Sequence, residues 1–231
     1  MSFATPLLDL SELSTPYESI SPPNVREIYR KMLESKESVK CFDDIVTTVF
    51  CSTRKIWLFD IVEGAGAEAA ATIQFWNYVD DCDNIPADER RPIIIYINSN
   101  GGDLDETFCI IDAIQMSVTP VITVNVACAY SGGAMIAVSG HQRFCYKHAT
   151  YLFHEGSVAN VSGDAHKFRN FGEFYKKRVE QIKELILDTT DILEEEYEEK
   201  RKDDWWFTAK EALGYGMVDQ IITEFPDEDY A

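Results

Sequence analysis

Three short segments, in order along the chain, hold residues able to do chemistry together: INSNGGDLDE (97–106), ACAYSGGAMIA (127–137) and ATYLFHEG (149–156). In the second, Ser131 stands where an apolar run gives way to small, helix-compatible residues. A serine hydroxyl becomes a useful nucleophile once a base removes its proton. Gly132 and Gly133 follow it, and the first N–H groups of a helix have no partner within the helix. Gly101 and Gly102 follow an apolar strand in the same manner, so the N–H groups of Gly102 and Gly132 are candidates for an oxyanion hole. The third segment ends a strand on His154, a candidate base. Each feature has a plainer reading on its own: a helix cap, a tight turn, a structural histidine. Together they describe acyl transfer by a serine hydrolase.

Four histidines compete for the role of base. His141 and His148 lie in a polar, hairpin-like stretch, HQRFCYKH, and His166 opens a charged helix. Only His154 terminates an apolar strand. A carboxylate must orient the imidazole and stabilise its protonated form. Among 40 acids, Asp203 and Asp204 stand out for preceding the apolar WWF and the last helix. A serine–lysine pair with Lys147 or Lys167 as base is a further arrangement open to these residues.

The elements that must position these groups read as an α/β chain. PIIIYINS (92–99) and VITVNVA (121–127) are continuous apolar strands, as expected where both faces are buried, and ATYLFH (149–154) is a third. GAGAEAAATIQFWNYVDD (64–81) is helical. LDETFCIIDAIQMS (104–117) is an amphipathic helix with Leu104, Phe108, Ile111 and Ile114 inward. This strand–helix alternation implies parallel βαβ units, with both glycine turns at the carboxyl edge where such sheets bind ligands. Residues 1–24, ending in SPPN, read as an arm; 25–37 is expected to be helical and DIVTTVF (44–50) β-rich. Residues 164–200 form a long, charged helical stretch with a break expected near Asp188–Asp191. Thr208 with Glu211 resembles a capping box, and Gly214 and Gly216 close a short helix before a final strand.

The chain of 231 residues has a net charge of −19 and 45% apolar residues. It is long enough for one large domain, and its acidity argues against nucleic-acid binding, which needs a basic surface. Much of the acid sits in EEEYEEKRKDD (194–204) and the tail PDEDY, as on a solvated helix face. No apolar run approaches the ~20 residues of a membrane span, and the first residues do not read as a signal peptide. Six cysteines (Cys41, Cys51, Cys82, Cys109, Cys128, Cys145) form no C-x-x-C pair and suggest no zinc site; they are expected to be buried, reduced thiols of a cytoplasmic protein.

The segments resemble the proteolytic subunit of the Clp (caseinolytic) protease family. That family has Y-I-N-S-P-G-G where this chain has YINSNGG (96–102), and A-x-S-M-G-A where it has AYSGGA (129–134). A strand ends in the family's catalytic histidine, as YLFHEG does here, and the catalytic aspartate precedes S-A-x-E-A-x-x-Y-G-L-V-D, matched by TAKEALGYGMVD (208–219). GHQRF (140–144) matches a further stretch, and the likeness runs from about 55 to about 223. It implies a ClpP/crotonase-type superhelix of βαβ units, with a mostly parallel sheet and a long protruding handle helix over about 164–200. The peptidase domain would span 55–231 behind an N-terminal extension, 1–54. By residue-wise carry-over Ser131 is the nucleophile, His154 the base, Asp204 its partner, and Gly102 and Gly132 the oxyanion-hole donors. The resemblance implies no metal or bound cofactor in this chain, ATP being used by a partner AAA+ unfoldase. It also implies self-association into a heptameric ring, stacked as a double-ring tetradecamer, acting on peptides and unfolded proteins, with no nucleic-acid or membrane partner.

The chain departs from the family pattern at Asn100 (usually proline), Gly132 (usually methionine), Glu155–Gly156 (usually Gln-Pro) and throughout 1–54. Two other readings stay open: a catalytically idle ring subunit, and a crotonase-like enzyme acting on acyl-CoA thioesters.

Overall fold

The computed structural model describes residues 53–61, 64–156 and 163–223. The expected arm, the helix over 25–37 and the strand at 44–50 lie outside the described residues, as do Cys41 and Cys51. The elements run β1 (Lys55–Leu58), α1 (Ala65–Cys82), β2 (Ile93–Ser99), α2 (Leu104–Met116), β3 (Val121–Tyr130), α3 (Gly132–Val138), β4 (Gln142–Tyr146) and β5 (Thr150–Phe153), then α4 (Ala165–Thr189), α5 (Glu194–Lys200), β6 (Trp205–Thr208), α6 (Ala209–Gly214) and β7 (Gln220–Ile222).

The seven strands form one sheet with the path β1-β2-β3-β4-β7, from which β5 and then β6 branch off β3. Every pairing is parallel except β5 with β6. The branch arises because β3 is long. Its residues Ile122–Asn125 pair with β4, while Cys128–Tyr130 pair with β5. The apolar β2 has its two faces in two cores: Ile93, Ile95 and Ile97 join the large one, while Ile94 packs with Ile122 and Val124 on the other side. That two-sided burial explains why these strands do not alternate with polar residues.

Helix α2 turns Ile110, Ile111, Ala113 and Ile114 fully inward, with Leu104 and Phe108 half-buried at the same face. The break in the charged stretch falls where expected: α4 ends at Thr189 and α5 begins at Glu194. The hydroxyls of Thr189 and Thr190 donate back to the carbonyls of Leu185 and Ile186, a local alternative to continuing the helix. The buried residues of α4, Val179, Ile182, Leu185 and Ile186, all lie in its second half; in its first half Phe168 and Phe174 are at least half exposed. The capping box on α6 is present in full, Thr208 with Glu211.

Two expectations need correction. HQRFCYKH is not a hairpin-like loop: residues 142–146 form β4, parallel to β3 on one side and β7 on the other. The polar ends hide a period-two pattern, Phe144 and Tyr146 to one core and Cys145 to the other. The thiols are not uniformly buried either. Cys145 is, Cys128 is half-buried, and Cys82 and Cys109 are exposed, because α1 ends at Cys82 and Cys109 falls on the outer side of α2.

The base of the sheet is pinned by a buried ion pair. Both guanidinium ends of Arg54 meet Asp80, at 2.8 and 2.5 Å, and the Thr119 hydroxyl donates to the same carboxylate at 2.7 Å. Arg54 also lies over the Trp76 ring, 4.4 Å from its centroid. Burial alone would raise the Asp80 pKa, but the Arg54 and Thr119 hydrogen bonds outweigh it and hold the carboxyl below its usual range. Asp80→Ala strands a buried guanidinium and is expected to cost about 3–5 kcal/mol in denaturant unfolding. Because the folded-state pKa is depressed, this stabilisation is present above the unfolded pKa of about 4. It fades as pH falls through the folded value, so the gap between variant and wild type closes in acid.

Candidate active site

Ser131 sits between β3 and α3 with φ 53° and ψ −123°, a conformation unusual for any residue with a side chain and a store of about 1–3 kcal/mol of strain. Its backbone explains how it is held. The N–H donates to Leu152 O on β5 at 2.9 Å, and its carbonyl accepts from Ala134 and Met135 in the first turn of α3. The side chain makes no capping bond, so the hydroxyl is not spent on the helix.

The turn after β2 lies against this elbow. Gly102 has φ 154°, and a Cβ there would collide with the carbonyl of Ile61. Ile61 N–H donates to Gly101 O, and Asp103 N–H donates to Ile61 O. Such a parallel bridge uses the groups flanking Gly102 and turns its own N–H to the opposite side, where Gly102 lines a cavity with Ser131, Gly132 and His154. Gly132 opens α3, so its N–H has no acceptor inside the helix. The absence of a side chain at 132 has a reason here: a Cβ would run into the Thr107 hydroxyl, which donates to Asp103 O at 2.7 Å.

His154 follows β5, and the element that brings it a carboxylate is β6. The antiparallel ladder pairs Thr150 with Thr208 and Phe153 with Trp205. One residue beyond the end of this ladder His154 and Asp204 come together, with Nδ1 3.8 Å from the Asp204 carboxylate. That separation is longer than the 2.7–3.2 Å of a hydrogen bond. His154 Nε2 is buried and has no hydrogen-bond partner among the described residues. Asp203 makes no such approach; its N–H closes a turn onto Lys200 O.

The competing residues go elsewhere. His141 Nδ1 accepts the Val121 N–H at 2.9 Å, and burial lowers its pKa, keeping the ring a neutral acceptor at the foot of β3. His148 is exposed in the β4–β5 turn, and His166 is exposed at the start of α4. Neither Lys147 nor Lys167 lines the cavity. Among the described residues no cluster of three or more His, Cys, Asp or Glu could hold a metal ion, and no helix is long and apolar enough to cross a membrane.

The cavity, about 520 Å³, has a wall that sequence reading did not assign to the site. Helix α4 supplies Phe171, Phe174, Tyr175 and Ile182 to the lining, which also includes Met135 of α3. The signal was aromatic residues at helical spacing inside a highly charged stretch. Arg178 of α4 bonds Asp105 of α2 at 2.6 Å and lies over Phe108, tying the cavity wall to the turn that bears Gly102. The arrangement offers a hydroxyl on a strained elbow, an imidazole with a free buried nitrogen, and N–H groups from two adjoining turns. Chemically it suits attack on a carbonyl with the developing negative charge held by the backbone.

Residues 50–225 match the Clp protease family. Among curated proteins, the chain is 30% identical over 196 residues to the ATP-dependent Clp protease proteolytic subunit 2 of Tropheryma whipplei, covering 84% of this chain and 100% of that one. It is 32% identical over 143 residues to the proteolytic subunit 3 of Rhodococcus jostii, 61% of this chain and 70% of the relative. It is 31% identical over 140 residues to the proteolytic subunit 1 of Chlamydia caviae, 59% and 73% respectively.

Proposed function

We propose, from the premise that this chain belongs to the Clp protease family, that it is a serine endopeptidase cleaving peptides and unfolded proteins. The observation that carries this reading is the single cavity that Ser131, His154, Gly102 and Gly132 share, with the serine on a strained elbow free of capping. In the proposed reaction His154 Nε2 takes the Ser131 proton as Oγ adds to the scissile carbonyl. The N–H groups of Gly102 and Gly132 stabilise the oxyanion, and Asp204 stabilises the imidazolium. The protonated histidine then gives its proton to the leaving amine, and water, activated by the same ring, releases the acid from the Ser131 ester. The family's organisation supports ring self-assembly and feeding by an AAA+ ATPase that uses the ATP; this chain itself would need no cofactor.

A fluorophosphonate probe tests the chemistry directly, since it phosphonylates only an activated serine. Wild-type protein should gain one adduct, mapped by mass spectrometry to the peptide bearing Ser131, in a species of ring mass by native measurement. A second reading, an idle ring subunit, is favoured by one observation: the 3.8 Å separation of His154 and Asp204 and the unengaged Nε2. Ring mass without any adduct would establish that reading in place of the first. Catalytic hydrogen bonds are often loose without substrate and tighten in the reacting complex, which is why the peptidase reading leads.

A further inference from the structure

The residue after the base makes an ion pair of its own. Glu155 Oε1 lies 2.5 Å from Nε of Arg201, and the Glu155 carbonyl accepts from the Tyr175 hydroxyl of α4 at 2.7 Å. Arg201 caps the C-terminus of α5, three residues before Asp204. Its N–H donates to Tyr197 O, and the Asp203 N–H to Lys200 O, so the segment from 200 to 204 is a tight turn delivering Asp204 to β6. The pair therefore closes a small ring: His154, Glu155, Arg201, the 202–203 turn, Asp204, and back to His154. On one side of that ring lies the β5–β6 ladder, whose last rung is Phe153 with Trp205. On the other side the Glu155–Arg201 pair joins the two segments past that rung.

The pair also reaches outward. Arg201 Nη1 bonds Glu198 at 3.0 Å, and Glu198 bonds Lys183 of α4 at 2.8 Å. Lys183 meets Glu194 at 2.7 Å as well. These groups are partly shielded: the Arg201, Glu155 and Lys183 side chains are 23%, 33% and 11% exposed. Screening is correspondingly weaker than for a free surface pair.

We propose that Glu155 and Arg201 are positioning residues that set the approach of His154 to Asp204 and couple it to α4. This rests on the peptidase reading above. Arg201 does not line the cavity, and Glu155 lines it beside His154; both act through the imidazole. A shift of about 1 Å in a catalytic group is enough to cost up to about a hundredfold in rate.

The test is a double-mutant cycle on the full chain, with Glu155→Gln, Arg201→Gln, the double variant, and Arg201→Lys as the conservative replacement. Peptide hydrolysis is compared with Ser131→Ala as the blank, alongside Tm and the carbethoxylation rate of each histidine by diethyl pyrocarbonate, read by peptide mass. Each single variant should lower kcat about tenfold or more at nearly unchanged KM. The double variant should be no worse than the poorer single one, since both break the same link. Arg201→Lys, which keeps the charge, should retain most of the activity. His154 should become several-fold more reactive than in wild type, with His148 and His166 unchanged as internal standards. Additive losses, or a lower Tm with kcat and His154 reactivity unaltered, would overturn the proposal. If wild type shows no turnover above the Ser131→Ala blank, the peptidase reading fails instead. The clamp then stands or falls on whether His154 reactivity rises.

Discussion

Ser131→Ala should fold and assemble like wild type while losing about 10⁵-fold or more of its peptide turnover, the order seen when a serine peptidase loses its nucleophile. The size of the effect follows from what surrounds the residue. Among the described hydroxyls nearby, that of Thr107 donates to Asp103 O, and that of Ser99 accepts the Gly101 N–H and is fully buried. The structural cost should be small for reasons equally local. The Ser131 side chain caps nothing, and His154 Nε2 has no partner among the described residues, so removing the hydroxyl breaks no bond to them. Alanine inherits the same positive φ, so the strain is neither gained nor lost. A change in Tm near zero beside a vanished rate would separate chemistry from scaffold. Turnover retained in Ser131→Ala would place the nucleophile elsewhere.

The parts of this arrangement that were legible from sequence are those written in short, local patterns. The unbroken apolar runs of β2 and β3 announced strands buried on two faces, and the glycines after each announced turns at their carboxyl ends. The resemblance to the Clp protease family then supplied roles for Ser131, His154 and Asp204. What stayed hidden was non-local. In sequence WWF reads as an apolar prelude to a helix, yet within β6 it pairs antiparallel with β5 and so brings Asp204 to His154. A four-residue strand whose partner lies over fifty residues upstream has no local signature. Strand β4 was masked by its polar ends for a related reason: pairing on both sides, with β3 and β7, makes up for modest hydrophobicity. The role of α4 as a cavity wall was invisible because it depends on where a long helix folds back. The close approach of Gly132 and Thr107 joins the first turns of two different helices, α3 and α2.

Gly102→Ala should lower kcat by about 10²–10³-fold, the range for losing one oxyanion-hole donor, and should also lower Tm. Gly132, the other proposed donor, is expected to behave differently, and the contrast tests why glycine stands at each place. At 102 the added methyl meets the backbone carbonyl of Ile61, a residue 1% exposed and bonded on both sides of the bridge. A residue whose N–H donates to Gly101 O and whose carbonyl accepts from Asp103 cannot turn aside, so the bridge must open and the Gly102 N–H must swing from the cavity. The φ of 154° adds strain for any residue with a Cβ. At 132 the added methyl meets the side chain of Thr107 instead, and a side chain can be shortened. Gly132→Ala should therefore be rescued, in rate and in Tm, by Thr107→Ala in the same chain, while trimming any side chain near Gly102 leaves Gly102→Ala impaired. Peptide kinetics and thermal unfolding on the three variants decide this. Full activity in Gly102→Ala alone would mean that the N–H of residue 102 does not serve the oxyanion. Failure of the Gly132–Thr107 rescue would mean that the turn at 132 is set by something other than the space that Thr107 fills.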